Sequence, residues 1–342
     1  MQDRNIGYFF IVMASIIVIV AGLKSAAVIV VPFLLSVFIA IILAPLFNYI
    51  NTKGVPSGLS LVIVITLFLV LLMLVAKLIG SSVQEFSSNI ELYESQLSKM
   101  FHATSEKLAN MGIELPVDQI DSIINTKQIM LFSKGLAQSV GSMFTNSFVV
   151  LLSVVFMLLE SSHFLTKISD VTNNQSIIDN IEKILEKIKR YMFLKALISF
   201  FTAVIIWIAL VAIGTDYAFL WAVLAFLLNF IPNIGSIIAA VPPVLLTLVQ
   251  LGYGSALMVV AVYLAANIII GSIIEPRIMG KGLGLSTLVV FLSLIFWGWV
   301  FGIVGMLLSI PLTMIIKIIL DANENTRWMA ILLGTCDTDK QR

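Results

Sequence analysis

The sequence predicts an all-α polytopic membrane protein with about eight membrane segments, two of them overlong and broken into hairpins, plus a helical extramembrane region. Three observations carry this. Sixty per cent of residues are apolar and eleven per cent charged, far from the balance of a soluble domain. The apolar runs have the length of membrane spans. Two of them, 217–251 and 285–320, are too long for one crossing: a straight helix over the first would reach about 50 Å, against a bilayer core of about 30 Å.

In chain order, 7–23 and 26–50 form the first two spans, the second interrupted by Pro32 and Pro45. The first apolar run flows into the next with no cleavage pattern, so it reads as a retained span. Lys53, Gly54 and Pro56 make a turn before span three, 59–79. Polar and charged residues then dominate 80–142. There Val83, Phe86, Ile90, Tyr93, Leu97, Met100 and Thr104 recur at three- and four-residue steps, a helical stripe. It reads as a helix packed on its neighbour or on the membrane domain, with a short coiled coil as the alternative. Gly112 and Pro116 close that helix, and span four covers 142–159.

The stretch 161–192 is an amphipathic linker with a basic end, lying on a leaflet or capping the bundle. From 193 to 320 comes the transport core, with ordinary spans at 192–213 and 256–274 and the two broken runs; a short tail occupies 321–342. With both termini, the Lys53 turn and the 160–195 and 275–284 stretches inside, fourteen of the twenty Lys and Arg residues lie on the cytoplasmic side. Parity then requires that both broken runs return to the side they entered, as a hairpin or a pair of spans, or that neither does.

The composition excludes several functions. A net charge of +1 argues against nucleic acid as a partner. No phosphate loop, catalytic constellation or metal-ligand spacing occurs, so no enzyme, cofactor or metal is expected. The single cysteine, Cys336, allows no intramolecular disulfide.

What remains is polarity at membrane depth. Irregular backbone survives there only when buried in protein or lining a wet cavity. The first break belongs at Asn229 to Gly235, because Pro232 lacks an N–H and Gly235 lets the chain bend. Asn229 and Asn233 flank that proline and offer both donors and acceptors, as Ser236 and Asn267 do on a smaller scale. Helix–helix hydrogen bonding is the bland reading for such groups, including Thr247, Thr287 and Ser309. Trp297, Gly302 and Gly305 mark the second break, the tryptophans serving as hairpin tip or interfacial anchors. Gly235 before Pro242-Pro243 and Gly305 before Pro311 give the two runs matching punctuation, a pattern that points to a transporter's binding site. Glu275, Arg277 and Lys281 form a candidate gating or coupling loop; a local Glu275–Arg277 salt bridge is the plain alternative.

The segments Asn229-Phe-Ile-Pro-Asn-Ile-Gly-Ser236, Ile274-Glu-Pro-Arg-Ile-Met-Gly-Lys-Gly-Leu-Gly284 and Met306-Leu-Leu-Ser-Ile-Pro-Leu312 resemble the autoinducer-2 exporter family. The likeness runs through nearly the whole chain and is strongest in the last third. It implies a bacterial inner-membrane exporter of autoinducer-2, a small, hydroxyl-rich signal, assembled as a homo-oligomer, a pentamer, in lipid. Some relatives are sodium/proton antiporters, so a cation/proton exchanger centred on Glu275 is the second reading and a non-transporting scaffold the third. Substrate-binding is assigned to Asn229, Pro232, Asn233, Gly235, Ser236, Asn267, Trp297, Gly302 and Gly305, and coupling to Glu275, Arg277 and Lys281.

Overall fold

Backbone groups in lipid must satisfy one another, so apolar runs of this length fold as helices. A computed structural model describes residues 2–110, 128, 131, 133–135, 138, 147–160, 175–231, 234–279, 284–321 and 324–334. Helices α1 (Gln2–Ser25), α2 (Ala27–Thr52), α3 (Ser57–Ser88), α4 (Ile90–Ala109) and α5 (Ser147–Glu160) come first. Next are α6 (Gln175–Ile213), α7 (Ala218–Leu228) and α8 (Gly235–Ala266), then a π-helix (Asn267–Ile274). The chain continues through α9 (Glu275–Met279), α10 (Thr287–Leu307), α11 (Ser309–Asp321) and α12 (Arg327–Leu332). No strand occurs among the described residues.

Among the described residues, five helices are long and apolar enough to cross a membrane: Ala27–Thr52, Ser57–Ser88, Leu185–Ile213, Gly235–Met279 and Thr287–Leu307. Shorter apolar helices occupy Met13–Ser25, Val149–Glu160 and Ala218–Leu228. The protein is thus an all-α polytopic membrane protein, as its composition implies. The described part of the amphipathic linker, from Gln175, and the fifth span form one 39-residue helix, α6.

The chain divides into two compact units. The first comprises Met1–Val64, Phe148–Phe193 and Lys281–Arg342; the second comprises Ile65–Ser147 and Leu194–Gly280.

In the first unit α2 stays helical through both Pro32 and Pro45. Ser36, fully buried, donates to the Pro32 carbonyl at 2.7 Å and approaches the Val150 carbonyl of α5 at 3.1 Å. That hydroxyl ties two helices together where lipid offers no partner. The core is aromatic: Trp297, Val300 and Phe301 of α10 pack against Val20, Leu23 and Val31.

In the second unit the stripe predicted over 83–104 faces inward. Phe86, Tyr93 and Leu97 are buried, and Phe86 meets the rings of Tyr217 and Trp221 edge-on at 5.8 and 5.3 Å. The helix-on-domain reading therefore holds over the coiled coil. Burial and the hydroxyl contact with Tyr217 push the Tyr93 phenol above its ordinary pKa. The helix stop expected at Gly112 and Pro116 lies outside the described residues.

Candidate functional site

The first broken run turns back on itself. Its α7 arm has 11 residues, about 17 Å of helix and so about half the depth of a bilayer core. Thr215, just before that arm, meets Thr247 in the returning arm, hydroxyl to hydroxyl at 2.8 Å. Beside them the Gln250 amide bonds the Asp216 carboxylate, and the Asp216 backbone N–H donates back to Gln250 Oε1 at 3.3 Å. The two ends of 217–251 are clasped together, so the run is a helical hairpin. The next span starts only after Gly252, whose φ of 82° breaks α8.

At the tip, α7 ends at Leu228 and α8 begins at Gly235. A Cβ on Gly235 would lie 1.8 Å from the Leu228 carbonyl oxygen, so only glycine permits this approach. Pro232 and Asn233, expected at the tip, lie outside the described residues.

Beside the break is a cavity lined by Thr202 and Ile206 of α6, Ala225, Asn229, Ser236, Tyr263, Ala266 and Asn267. Its volume of about 10 Å³ is about what one water needs. The polar residues on its wall are all uncharged. Asn229 Nδ2 donates to Ser199 Oγ at 2.9 Å, and Thr202 donates to the Ile198 carbonyl at 2.8 Å. Tyr263 is 4% exposed, and its hydroxyl has no hydrogen-bond partner among the described residues.

Asn267, on the cavity wall, opens the π-helix, a rare geometry that concentrates at functional sites. At the π-helix's other end stands Glu275. Its carboxylate pairs with Lys195 of α6 at 2.6 Å, with side-chain exposures of 20% and 4%. The local Glu275–Arg277 bridge does not form: Pro276 follows Glu275 within a helix, and Arg277, two residues on, is exposed, with no ion-pair partner among the described residues. Lys281 lies outside the described residues.

The second broken run also turns back. Gly302, with φ 65° and ψ −147°, breaks α10. Gly305 then returns so close that a Cβ on it would lie 2.0 Å from the Trp297 carbonyl oxygen. The arms are tied by the Trp297 indole N–H, which donates to Thr313 Oγ1 at 3.0 Å in a buried contact. Trp297 thus belongs to the hairpin core, stacked on Phe301 at 5.6 Å. Trp299 is exposed and carries the Lys24 ammonium over its ring at 3.9 Å.

The structure brings Asn229, Ser236 and Asn267 to one cavity in the second unit. Trp297, Gly302 and Gly305 have separate surroundings in the first. Thr247 joins the two ends of its hairpin through Thr215, while Ser309 makes only a local bond, donating to the Met306 carbonyl three residues back at 2.9 Å. Four residues escaped the sequence reading: Lys195, Ser199, Thr202 and Tyr263. Three of them lie on one face of α6, where Lys195, Ser199 and Thr202 recur at four- and three-residue steps inside an apolar helix. That polar stripe is visible in the sequence.

Two helical hairpins broken at glycine, in an all-α multi-pass protein with a neutral polar cavity at one break, form the pattern of a membrane transporter. The chain belongs to the AI-2E family: the profile described as AI-2E family transporter matches residues 9–325. It is similar to "AI-2 transport protein TqsA" of Escherichia coli K12, 40% identical over 95% of this chain and 94% of that one. "Putative transport protein YhhT" of the same organism is 36% identical over 97% and 95%. A "Putative transport protein" of Haemophilus influenzae is 40% identical over 99% of both chains.

Proposed function

We propose that this protein exports autoinducer-2, or a similar small neutral hydroxylated molecule, across the bacterial inner membrane by alternating access. One observation carries the reading: the polar groups lining the first hairpin's cavity are all uncharged hydroxyls and amides. Such groups match alcohols and carbonyls, while a charged substrate would call for an unpaired charge at that depth. The nearby Glu275 is already matched by Lys195. The name of the Escherichia coli relative supplies the particular molecule. A cavity of one-water size is too small for a furanone, which is why the hairpins must move between states. In this account both termini are cytoplasmic, and the exposed apolar faces of α1–α3 meet lipid or the other protomers of a pentamer.

The second reading, sodium/proton exchange at Glu275, draws on that residue's near-burial. It requires Lys195 to release the carboxylate in each cycle. Proteoliposomes separate the two. The exporter reading expects saturable autoinducer-2 flux that persists in Glu275→Gln/Lys195→Met and no sodium-driven acidification. Sodium-driven proton movement with no autoinducer-2 flux would replace it by the exchanger.

A further inference from the structure

We propose that Tyr263 is a ligand-recognition residue, its phenol hydroxyl hydrogen-bonding an oxygen of the transported molecule. The inference rests on the transport reading above and deepens it at the same site. Asn229 bonds Ser199, and Thr202 bonds the Ile198 carbonyl. Tyr263 is 4% exposed and lines the same cavity, yet its hydroxyl has no partner among the described residues.

A buried hydroxyl with no partner destabilises the folded protein, and phenylalanine would fill the same volume without that cost. A tyrosine at this position is therefore best explained by a partner that arrives. The phenol both donates and accepts. Its neighbours on the cavity wall, Asn229, Ser236 and Asn267, are neutral too. Together they suit a ligand presenting several uncharged oxygens, and they disfavour an ion, whose charge the set would not balance. Asn267 links this wall to the π-helix, so a ligand seated against Tyr263 also touches the segment that ends at Glu275.

The substitution Tyr263→Phe gives opposite signs for a ligand role and a structural one. Purified full-length protein is reconstituted and its autoinducer-2 flux measured at low concentration, alongside thermal unfolding in detergent. The expected result is a melting temperature equal to or above that of the wild type, with flux down about tenfold, the scale of one lost polar contact. Unchanged flux overturns the assignment, and so does a lowered melting temperature, which would mean the hydroxyl supports the fold. Wild-type protein that carries no autoinducer-2 overturns the transport reading and the assignment with it. Wild-type flux matched by Tyr263→Phe overturns the assignment alone.

Discussion

Gly235 in the first hairpin and Gly305 in the second do the same job. Each sits where a Cβ would fall on a backbone carbonyl oxygen, 1.8 Å from Leu228 and 2.0 Å from Trp297. What fills the two turns differs. The second is packed with Trp297 and Phe301, and polar groups buried there are satisfied, the indole N–H by Thr313 and the Ser309 hydroxyl by the Met306 carbonyl. The first is lined by Thr202, Asn229, Ser236, Tyr263 and Asn267, with one hydroxyl left over. A satisfied aromatic core stabilises a turn; unsatisfied polarity at membrane depth weakens it and is kept for use. The proposed function accordingly places ligand handling in the first hairpin and scaffolding in the second.

The shared device is the easiest to break. Gly235→Ala and Gly305→Ala each force a backbone shift and are expected to cost about 3 kcal/mol. Yields of monodisperse protein and melting temperatures should fall together in both variants. Normal folding of either would mean that the turns do not close as described.

The ion pair beside the first hairpin comes next. Lys195→Met leaves Glu275 without its ammonium and should cost about 3 kcal/mol, the low end for a buried pair because Glu275 keeps some solvent contact. The double variant Lys195→Met/Glu275→Gln should recover most of that loss. Additive losses, measured as melting temperatures in a double-mutant cycle, would show that the two side chains are not coupled.

The smallest effect is expected at the second hairpin. Trp297→Phe removes the hydrogen bond to Thr313 and keeps most of the aromatic packing, a loss of about 1 kcal/mol. Flux per folded protein should not change. A large fall in flux would move substrate contact into the second hairpin and dissolve the contrast.

Much of this was legible beforehand. Charge-free runs longer than a bilayer is thick had to break, and the glycines marked where, while Pro242, Pro243 and Pro311 lie inside helices. The stripe through Phe86, Tyr93 and Leu97 announced a packed helix, because its spacing records which face is buried. Asn229 stood out as an amide beside a proline. Glu275's partner did not, since Lys195 is 80 residues away and only the fold brings them together. Reading Lys195 as a cytoplasmic-edge charge missed that it is the first step of the Lys195, Ser199, Thr202 stripe on α6. Tyr263 was hidden for a different reason. An aromatic in an apolar span looks like core, and only the fold shows that its hydroxyl has no partner among the described residues.

Autoinducer-2 flux through proteoliposomes carrying Asn229→Ala, compared with Trp297→Phe at equal folded protein, tests the central claim most directly. Asn229 bonds Ser199 and lines the cavity, so Asn229→Ala should lower flux at least tenfold while Trp297→Phe matches wild type. Wild-type flux in Asn229→Ala, or an equal loss in both variants, would contradict the assignment of ligand handling to the first hairpin.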